Sequence, residues 1–513
     1  MNNAISLNFG EDHRRKPRKP FDQFVERETE ELVIAVCGAA GSGTSRIADA
    51  IEKDFRERGY DVGRVKLSET IKRHATVEIP ADEAERIQTL QKEGTQLRVK
   101  FGRDVLAMLA IKGIRLNREK SNPADGSMRS PESRRFVTII DSLKHPQEER
   151  LLRKVYGDMF YLFGVLCPEE IRIKRLQHEK SMSPATAHKI TEIDKSEEDK
   201  AGQQLLDTIH LSDFFLRNTD VDSKEIRDSL IRFIDLILGA NTITPTIEEY
   251  GMALAYTSSL RSGCISRQVG AAIIKDGEVI STGRNDVPKF EGGLYSANDK
   301  PDGRCFKWGT EECRNDKEKR LMKKKMADLI NDRVINDKKF TEEDIDRICK
   351  TIGINNLIEY SRAIHAEMDA LIGISRSGNA SSKGGVLFCT TYPCHNCARH
   401  IVAAGIKRVY YIEPYEKSLA TKLHDDTIST AEKPSDKAEQ LEIIAFEGVG
   451  PTKYSRLFRQ PDRKDRDSGK VREINTRISK PYLSHPLDRF TDYEARIVEY
   501  LTSIELDQKR LPE

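Results

Sequence analysis

No run of eighteen apolar residues occurs in the chain, so nothing in it reads as a membrane-spanning helix. Its first twenty residues, MNNAISLNFGEDHRRKPRKP, also lack the apolar stretch of a secretory leader. Cysteine is scarce. Nine in 513 residues are too few for a disulfide framework, and the odd count points to metal ligation or buried thiols. Together these absences predict a cytoplasmic protein with no membrane partner. Charge of one sign is lacking as well: 85 Lys plus Arg against 83 Asp plus Glu leave a net charge of +2, which supplies no global field for gripping nucleic acid. Aromatic residues make up 7% with a single tryptophan, Trp308, so the interleaved basic and aromatic pattern of a single-strand channel is missing. Any polyanion must therefore meet a local patch.

The length predicts about three domains at roughly 150 residues each. Residues 1–30 are polar and aperiodic and read as a disordered arm; its basic run Arg14 to Lys19 reads as a solvated tail, with RNA contact as the alternative. Order begins at Leu32-Val-Ile-Ala-Val-Cys37, a buried-strand pattern followed by a glycine turn. A helix follows, with Ile47, Ile51 and Phe55 on one face and a stop at Gly59. Further apolar runs at Asp61 to Leu67, Phe136 to Asp141 and Phe160 to Leu166 alternate with helical stretches. This alternation predicts an α/β domain with a parallel sheet over residues 31–238. Residues 239–246 read as a linker, and Thr246 with Glu249 forms a capping box that opens a second domain over 247–448. After the helix that this box caps comes a hairpin, Val269 to Ile274 and Glu278 to Ser281 around Asp276-Gly277, and the domain carries a charged insertion at 291–355. Residues 449–513 are polar and read as a C-terminal extension.

The sharpest pattern is His365-Ala366-Glu367 followed by Pro393-Cys394-His395-Asn396-Cys397. Composition alone produces P-C-x-x-C about 0.006 times in a chain like this one, before the His-x-Glu requirement is added. Cys394 and Cys397 place two sulfurs on one metal from a single turn, His365 adds a third ligand, and the fourth position is left for water. Glu367 then stands beside the metal as proton carrier, the division of labour of zinc deaminases. Pro393 suits a helix start, whose dipole favours the cysteine thiolates. A closed structural zinc or a redox C-x-x-C is the alternative, and neither needs Glu367. His395 and His400 read as surface or structural histidines.

These motifs resemble the deoxycytidylate deaminase branch of the cytidine-deaminase-like superfamily, over roughly residues 247–430. Cys264-Ile-Ser-Arg-Gln-Val-Gly-Ala271, Thr282-Gly-Arg-Asn-Asp-Val-Pro288, His365 to Leu371 and Thr391 to Cys397 carry the likeness. The resemblance implies a cytidine deaminase-like α/β/α fold, bound Zn2+, and a homo-oligomeric hydrolase that deaminates free deoxycytidine nucleotides. It places Asn285 on the sugar, Thr390 and Tyr392 by the base, and Tyr415 as a cover; a plain turn residue is the other reading of Asn285. It also implies a second zinc held by Cys264 and Cys305, with Cys313 as third ligand, against three separate thiols.

Gly38-Ala-Ala-Gly-Ser-Gly-Thr-Ser45 follows a strand and opens a helix, the setting of a phosphate-cradling loop. Gly38, Gly41, Ser42 and Gly43 would offer backbone amides, Ser45 and Asp141 would meet magnesium, and Thr44 stands where lysine is expected. The region resembles P-loop nucleoside monophosphate kinases through Leu90 to Gly94, Phe101 to Asp104, Arg172, Arg175 and Asp213 to Asn218. The missing lysine favours nucleotide binding and control over phosphoryl transfer. A kinase-like half joined to such a deaminase resembles the two-domain anti-phage deoxycytidylate deaminases of bacteria. That resemblance implies depletion of dCTP and dCMP in antiviral defence, and restraint by a small RNA or protein inhibitor encoded nearby. The competing readings are a housekeeping dCMP deaminase with an allosteric nucleotide domain, a nucleic-acid-editing deaminase, and a nucleotide sensor without catalysis.

Overall fold

The structure, a computed structural model, describes residues 27–120, 133–180, 182–195, 202–219, 223–332, 340–354, 357, 359–378, 380–415, 418–430, 440–459 and 463–506. The basic run Arg14 to Lys19, and with it most of the expected N-terminal arm, lies outside the described residues. Among the described residues no helix is long and apolar enough to cross a membrane.

The first half is built in the order β1 (Leu32–Gly38), α1 (Thr44–Glu57), β2 (Asp61–Lys66), α2 (Leu67–His74), α3 (Glu83–Phe101) and α4 (Val105–Lys120). It continues with β3 (Phe136–Leu143), α5 (Pro146–Tyr156), β4 (Phe160–Leu166), α6 (Glu169–Glu179), α7 (Pro184–Lys195), α8 (Leu205–Ile209), β5 (Phe214–Arg217) and α9 (Lys224–Ile237). Every residue of β1 is buried, the pattern of a central strand covered on both faces. β1 pairs in parallel with β3 and β4, β2 extends the sheet beyond β3, and β5 extends it beyond β4. Ile47, Ile51 and Phe55 of α1 are buried, which is what their four-residue spacing requires.

The second half contains α10 (Ile247–Ser259), β6 (Gly270–Lys275), β7 (Glu278–Arg284), α11 (Arg314–Asn331), α12 (Glu342–Thr351), α13 (Ala366–Ser377) and β8 (Val386–Thr391). After these come α14 (His395–Ala403), β9 (Arg408–Glu413), α15 (Ala420–Leu423), β10 (Ile428–Thr430) and β11 (Leu441–Ala445). The sheet order is β10-β11-β9-β8-β6-β7, parallel up to β8 and antiparallel from β8 through β6 to β7. α13 packs on β6 and β7, and α10 packs on β6 and β8. The capping box at α10 is present, with Glu249 N–H donating to Thr246 Oγ1 at 3.2 Å and Thr246 N–H donating to Glu249 Oε2 at 2.8 Å.

The boundaries between these halves differ from the sequence expectation. After β11 the chain adds β12 (Gly448–Val449), which pairs antiparallel with β5 at the edge of the first sheet, and then α16 (Pro451–Leu457) and α17 (Leu487–Ser503). α17 lies against α4 and α5, burying Leu487, Phe490 and Leu501 in the core shared with the first half. Its Glu494 accepts from Tyr156 Oη at 2.9 Å and pairs with Arg118, which also binds Glu31 at 2.9 Å. The expected C-terminal extension is therefore part of the N-terminal domain. The expected arm also ends in structure, because Thr29 N–H donates to His485 O at 3.0 Å and Arg27 pairs with Asp488. The 239–246 stretch is no loose linker: Asn241 is 1% exposed and its amide binds Arg472 O and Ile474 N–H. Glu249 ties the halves directly, accepting from Arg232 of α9 at 2.7 Å and from Val449 N–H at 2.9 Å.

Candidate active site

α13 and α14 both begin at the C-terminal side of the second sheet, and each opens with a residue of the metal pattern. His365 is the N-cap of α13 and Cys394 the N-cap of α14. This brings His365 Nδ1 to 3.3 Å from both Cys394 Sγ and Cys397 Sγ. Among the described residues, this is the only set of three or more His, Cys, Asp or Glu donors lying within 4.8 Å of one another. One imidazole and two thiols, both cysteines nearly fully buried, form a borderline-soft donor set that fits zinc. Cys397 N–H donates to Cys394 Sγ at 3.4 Å, and hydrogen bonds from Cys397 and His365 hold the Cys394 thiol well below its ordinary range.

Glu367 sits in the first turn of α13, 4% exposed, with its carboxyl hydrogen-bonded by Cys397. Burial pushes its pKa up, and the His365 ring opposes part of that rise. A buried carboxyl beside, and not among, the three donors can carry protons at the metal without filling a coordination position.

The residues expected to meet the substrate sit beside β6, β7 and β8 and in the segment after β9. Asn285 is 8% exposed, and its amide is engaged with the backbone, accepting from Val269 N–H at 2.7 Å and donating to Arg267 O at 2.7 Å. Its neighbour Asp286 bridges to Ile364, which clamps the Asn285 turn to the residue preceding His365. Thr390 Oγ1 accepts from Gly270 N–H at 3.1 Å, so it joins β8 to the same turn region. Tyr392 packs edge-on to Tyr411 with centroids 4.8 Å apart. Tyr415 is half-buried and close enough to Cys394 for the thiolate to raise its phenol, after burial has done so first.

Several positioning residues went unread in the sequence. Asp369 accepts from Arg284 N–H at 3.1 Å, and Ser281 Oγ donates to Ala370 O at 2.7 Å, so two bonds fasten α13 to β7. Gly283 allows the close approach: a Cβ there would lie 2.2 Å from Ala366 O. Arg267, 47% exposed, pairs with Glu413 at 3.2 Å near Tyr415. The aspartate two residues past Glu367 and the glycine two before Asn285 were visible signals. The Arg267 pairing had none.

Cys264, Cys305 and Cys313 line one small cavity of about 20 Å3. Their sulfurs do not all lie within 4.8 Å of one another, as the donor atoms of the His365 group do. Cys313 Sγ instead meets Ser266 Oγ at 3.3 Å, and burial raises the Cys305 thiol toward the neutral form.

In the first half, Gly41 and Gly43 adopt φ of 80° and 85°, a backbone that side-chain-bearing residues rarely take, and α1 starts immediately after them. Three of the residues behind the kinase resemblance, Arg172, Arg175 and Asn218, meet at this loop. Asn218 Nδ2 donates to Ser42 O at 2.7 Å, Arg175 Nη1 donates to Gly41 O at 3.4 Å, and Arg172 packs its backbone on Gly41. Ser45 Oγ donates to Asp141 Oδ2 at 3.1 Å.

A mixed sheet presenting a His-x-Glu helix and a Cys-x-x-Cys helix side by side defines a hydrolytic deaminase centre. Residues 245–413 match the family described as the cytidine and deoxycytidylate deaminase zinc-binding region. The deoxycytidylate deaminase of Enterobacteria phage T4 is 30% identical over 176 residues, covering 33% of this chain and 78% of that protein. ComE operon protein 2 of Bacillus subtilis is 29% identical over 195 residues, covering 38% of this chain and 71% of that protein. A crystal structure of the dCMP deaminase of cyanophage S-TIM5 with dCMP and dUMP matches at 21% identity and a TM-score of 0.22, covering 39% of this chain and 98% of that one. The chain belongs to the cytidine and deoxycytidylate deaminase family, and it is a hydrolytic deaminase.

Proposed function

We propose that the protein deaminates free deoxycytidine nucleotides, dCMP and dCTP, to the corresponding deoxyuridine nucleotides and ammonia. The observation that carries this reading is the convergence of His365 Nδ1 with Cys394 Sγ and Cys397 Sγ at 3.3 Å, with the buried Glu367 alongside. His365, Cys394 and Cys397 would hold Zn2+, which when bound supplies a Lewis acid that lowers the pKa of water. The Glu367 carboxylate accepts a proton from the attacking water and passes it to the departing amino group, so one water enters and one ammonia leaves. Tyr392 and Tyr415 supply apolar faces for a pyrimidine ring. Asn285 would meet the sugar, and Thr390 would stand by the base. Arg267 offers a charge for the 5′-phosphate at the rim.

The first half serves as a nucleotide-binding control domain in this proposal, and the two-part architecture supports the anti-phage reading. On that reading the enzyme works in the cytoplasm as a homo-oligomer, drains the deoxycytidine pool during infection, and is restrained by a small RNA or protein inhibitor encoded nearby. The test is incubation of the full chain with dCMP, dCTP and a cytosine-containing single-stranded DNA, followed by product identification. Conversion of the free nucleotides alone supports the proposal. Conversion of the DNA alone, or of nothing, overturns it.

A further inference from the structure

The glycine loop of the first half lacks its lysine, yet the structure brings a lysine to it from a different strand. Thr44 occupies the expected position and turns its methyl toward Gly38, 2.7 Å from where a Cβ would stand there. β3 runs beside β1 with Cys37 opposite Leu143, so the residue following β3 emerges next to the start of the loop. That residue is Lys144, and its Nζ donates to Gly38 O at 2.9 Å. The crevice outside the carboxyl ends of such strands is where doubly wound sheets bind ligands. A buried, unpartnered polar group at the loop points to an occupant. Ser42 is fully buried with Oγ lying against Gly38 and without a hydrogen-bond partner, and Arg172, 6% exposed, packs its backbone on Gly41 while its Nε donates to Cys167 O at 3.2 Å.

The two residues expected to meet magnesium are already engaged. Asp141 Oδ2 accepts from Ser45 Oγ at 3.1 Å and from Arg64 Nη2 at 2.7 Å, and the same guanidinium donates to Ser45 O at 3.2 Å. A divalent cation placed there would face a carboxylate whose charge Arg64 has compensated, and would be repelled by that guanidinium. The donor set does not fit Mg2+.

Resting on the reading of the first half as a nucleotide-binding domain, we propose that Lys144 supplies the phosphate-binding charge missing at Thr44, and that the loop holds nucleotide phosphates without a divalent cation. On ligand arrival the ammonium exchanges the Gly38 carbonyl for a phosphate oxygen, while the free amides at the start of α1 take the others. Arg64 remains on Asp141.

The experiment is calorimetric titration of the full chain with ATP, a probe that carries no cytosine for the zinc site, with and without added Mg2+. The wild type is expected to bind equally in both buffers. Lys144→Met should weaken binding by about ten- to a hundred-fold, the loss of one charge-assisted hydrogen bond. Lys144→Arg should retain most of the affinity, and Thr44→Lys added to Lys144→Met should restore it, which separates lost charge from lost folding. Wild-type binding that Lys144→Met leaves unchanged overturns the assignment of Lys144, and binding that requires Mg2+ overturns the cation-free site. Absence of wild-type binding to ATP under both conditions overturns the nucleotide-binding reading itself.

Discussion

Replacing Gly283 by alanine isolates how much of catalysis depends on the seat of α13. A Cβ at this position falls 2.2 Å from Ala366 O and 2.5 Å from Ala370 N, where ordinary contact begins at 3.4 Å. Both atoms belong to helical backbone, so no side-chain rotation relieves the overlap, and the first turn must retreat by about 1 Å. His365 caps that turn and Glu367 lies within it. A displacement of about 1 Å costs on the order of a hundredfold in rate, about 2.7 kcal/mol of transition-state stabilisation. Overpacking adds roughly 1–3 kcal/mol of destabilisation. The assay is ammonia release from dCMP expressed per zinc-loaded chain, with metal content and thermal midpoint measured on the same sample. Gly113→Ala is the control, since a Cβ there meets nothing within 4 Å and the position lies in α4, far along the chain from the zinc motif. Activity per zinc within about twofold of wild type in a folded Gly283→Ala protein would refute the spacer role, because a shift of this size cannot be absorbed so cheaply.

Glu367→Gln should lower deamination by about 10²- to 10⁴-fold while metal analysis still finds one zinc per chain, whereas Cys397→Ser should lose the metal; equal loss of zinc in both would contradict the separation of proton carrier from ligand. Arg118→Met leaves Glu31 and Glu494 buried without their shared guanidinium and should cost about 3–5 kcal/mol in urea unfolding, with Glu494→Gln recovering part of it. A change below about 1 kcal/mol would show that the network is solvated in solution. Phe490→Ala, at a ring with no exposure that packs 6.0 Å from Tyr156, should destabilise by about 3–5 kcal/mol; an unchanged unfolding midpoint would place α17 off the first half.

Local chemistry was legible and distant partnership was not. His365, Glu367, Cys394 and Cys397 stood out because metal ligation demands fixed residue types at fixed spacings. The capping box at Thr246 and the glycine turn after β1 were legible for the same reason: their physics is contained within a few residues. Asn285 was visible as a residue of a turn, but nothing in its spacing tells that its amide grips Val269 and Arg267. The second zinc at Cys264, Cys305 and Cys313 was implied by the resemblance alone, since nothing in their spacing sets how close the three sulfurs come. β12 is two residues long and carries no periodicity to read. α17 has its buried Leu487, Phe490, Glu494 and Leu501 among charged neighbours, and its partners Arg118 and Tyr156 lie more than three hundred positions upstream.

The return of β12 and α17 to the first half also sets the order in which a nascent chain can be completed. β1 through β5 leave the ribosome first, yet the edge beside β5 stays open and Arg118 stays without Glu494 until the deaminase segment and the last helix have been made. The deaminase is, in topological terms, an insertion within the first domain. Its strands from β6 to β11 all lie between β5 and β12 in the chain, and they can pair with one another before the first domain closes. The topology thus lets the inserted domain be completed before the amino-terminal one. A ribosome paused before Leu487 would present the deaminase segment tethered to an unfinished first domain.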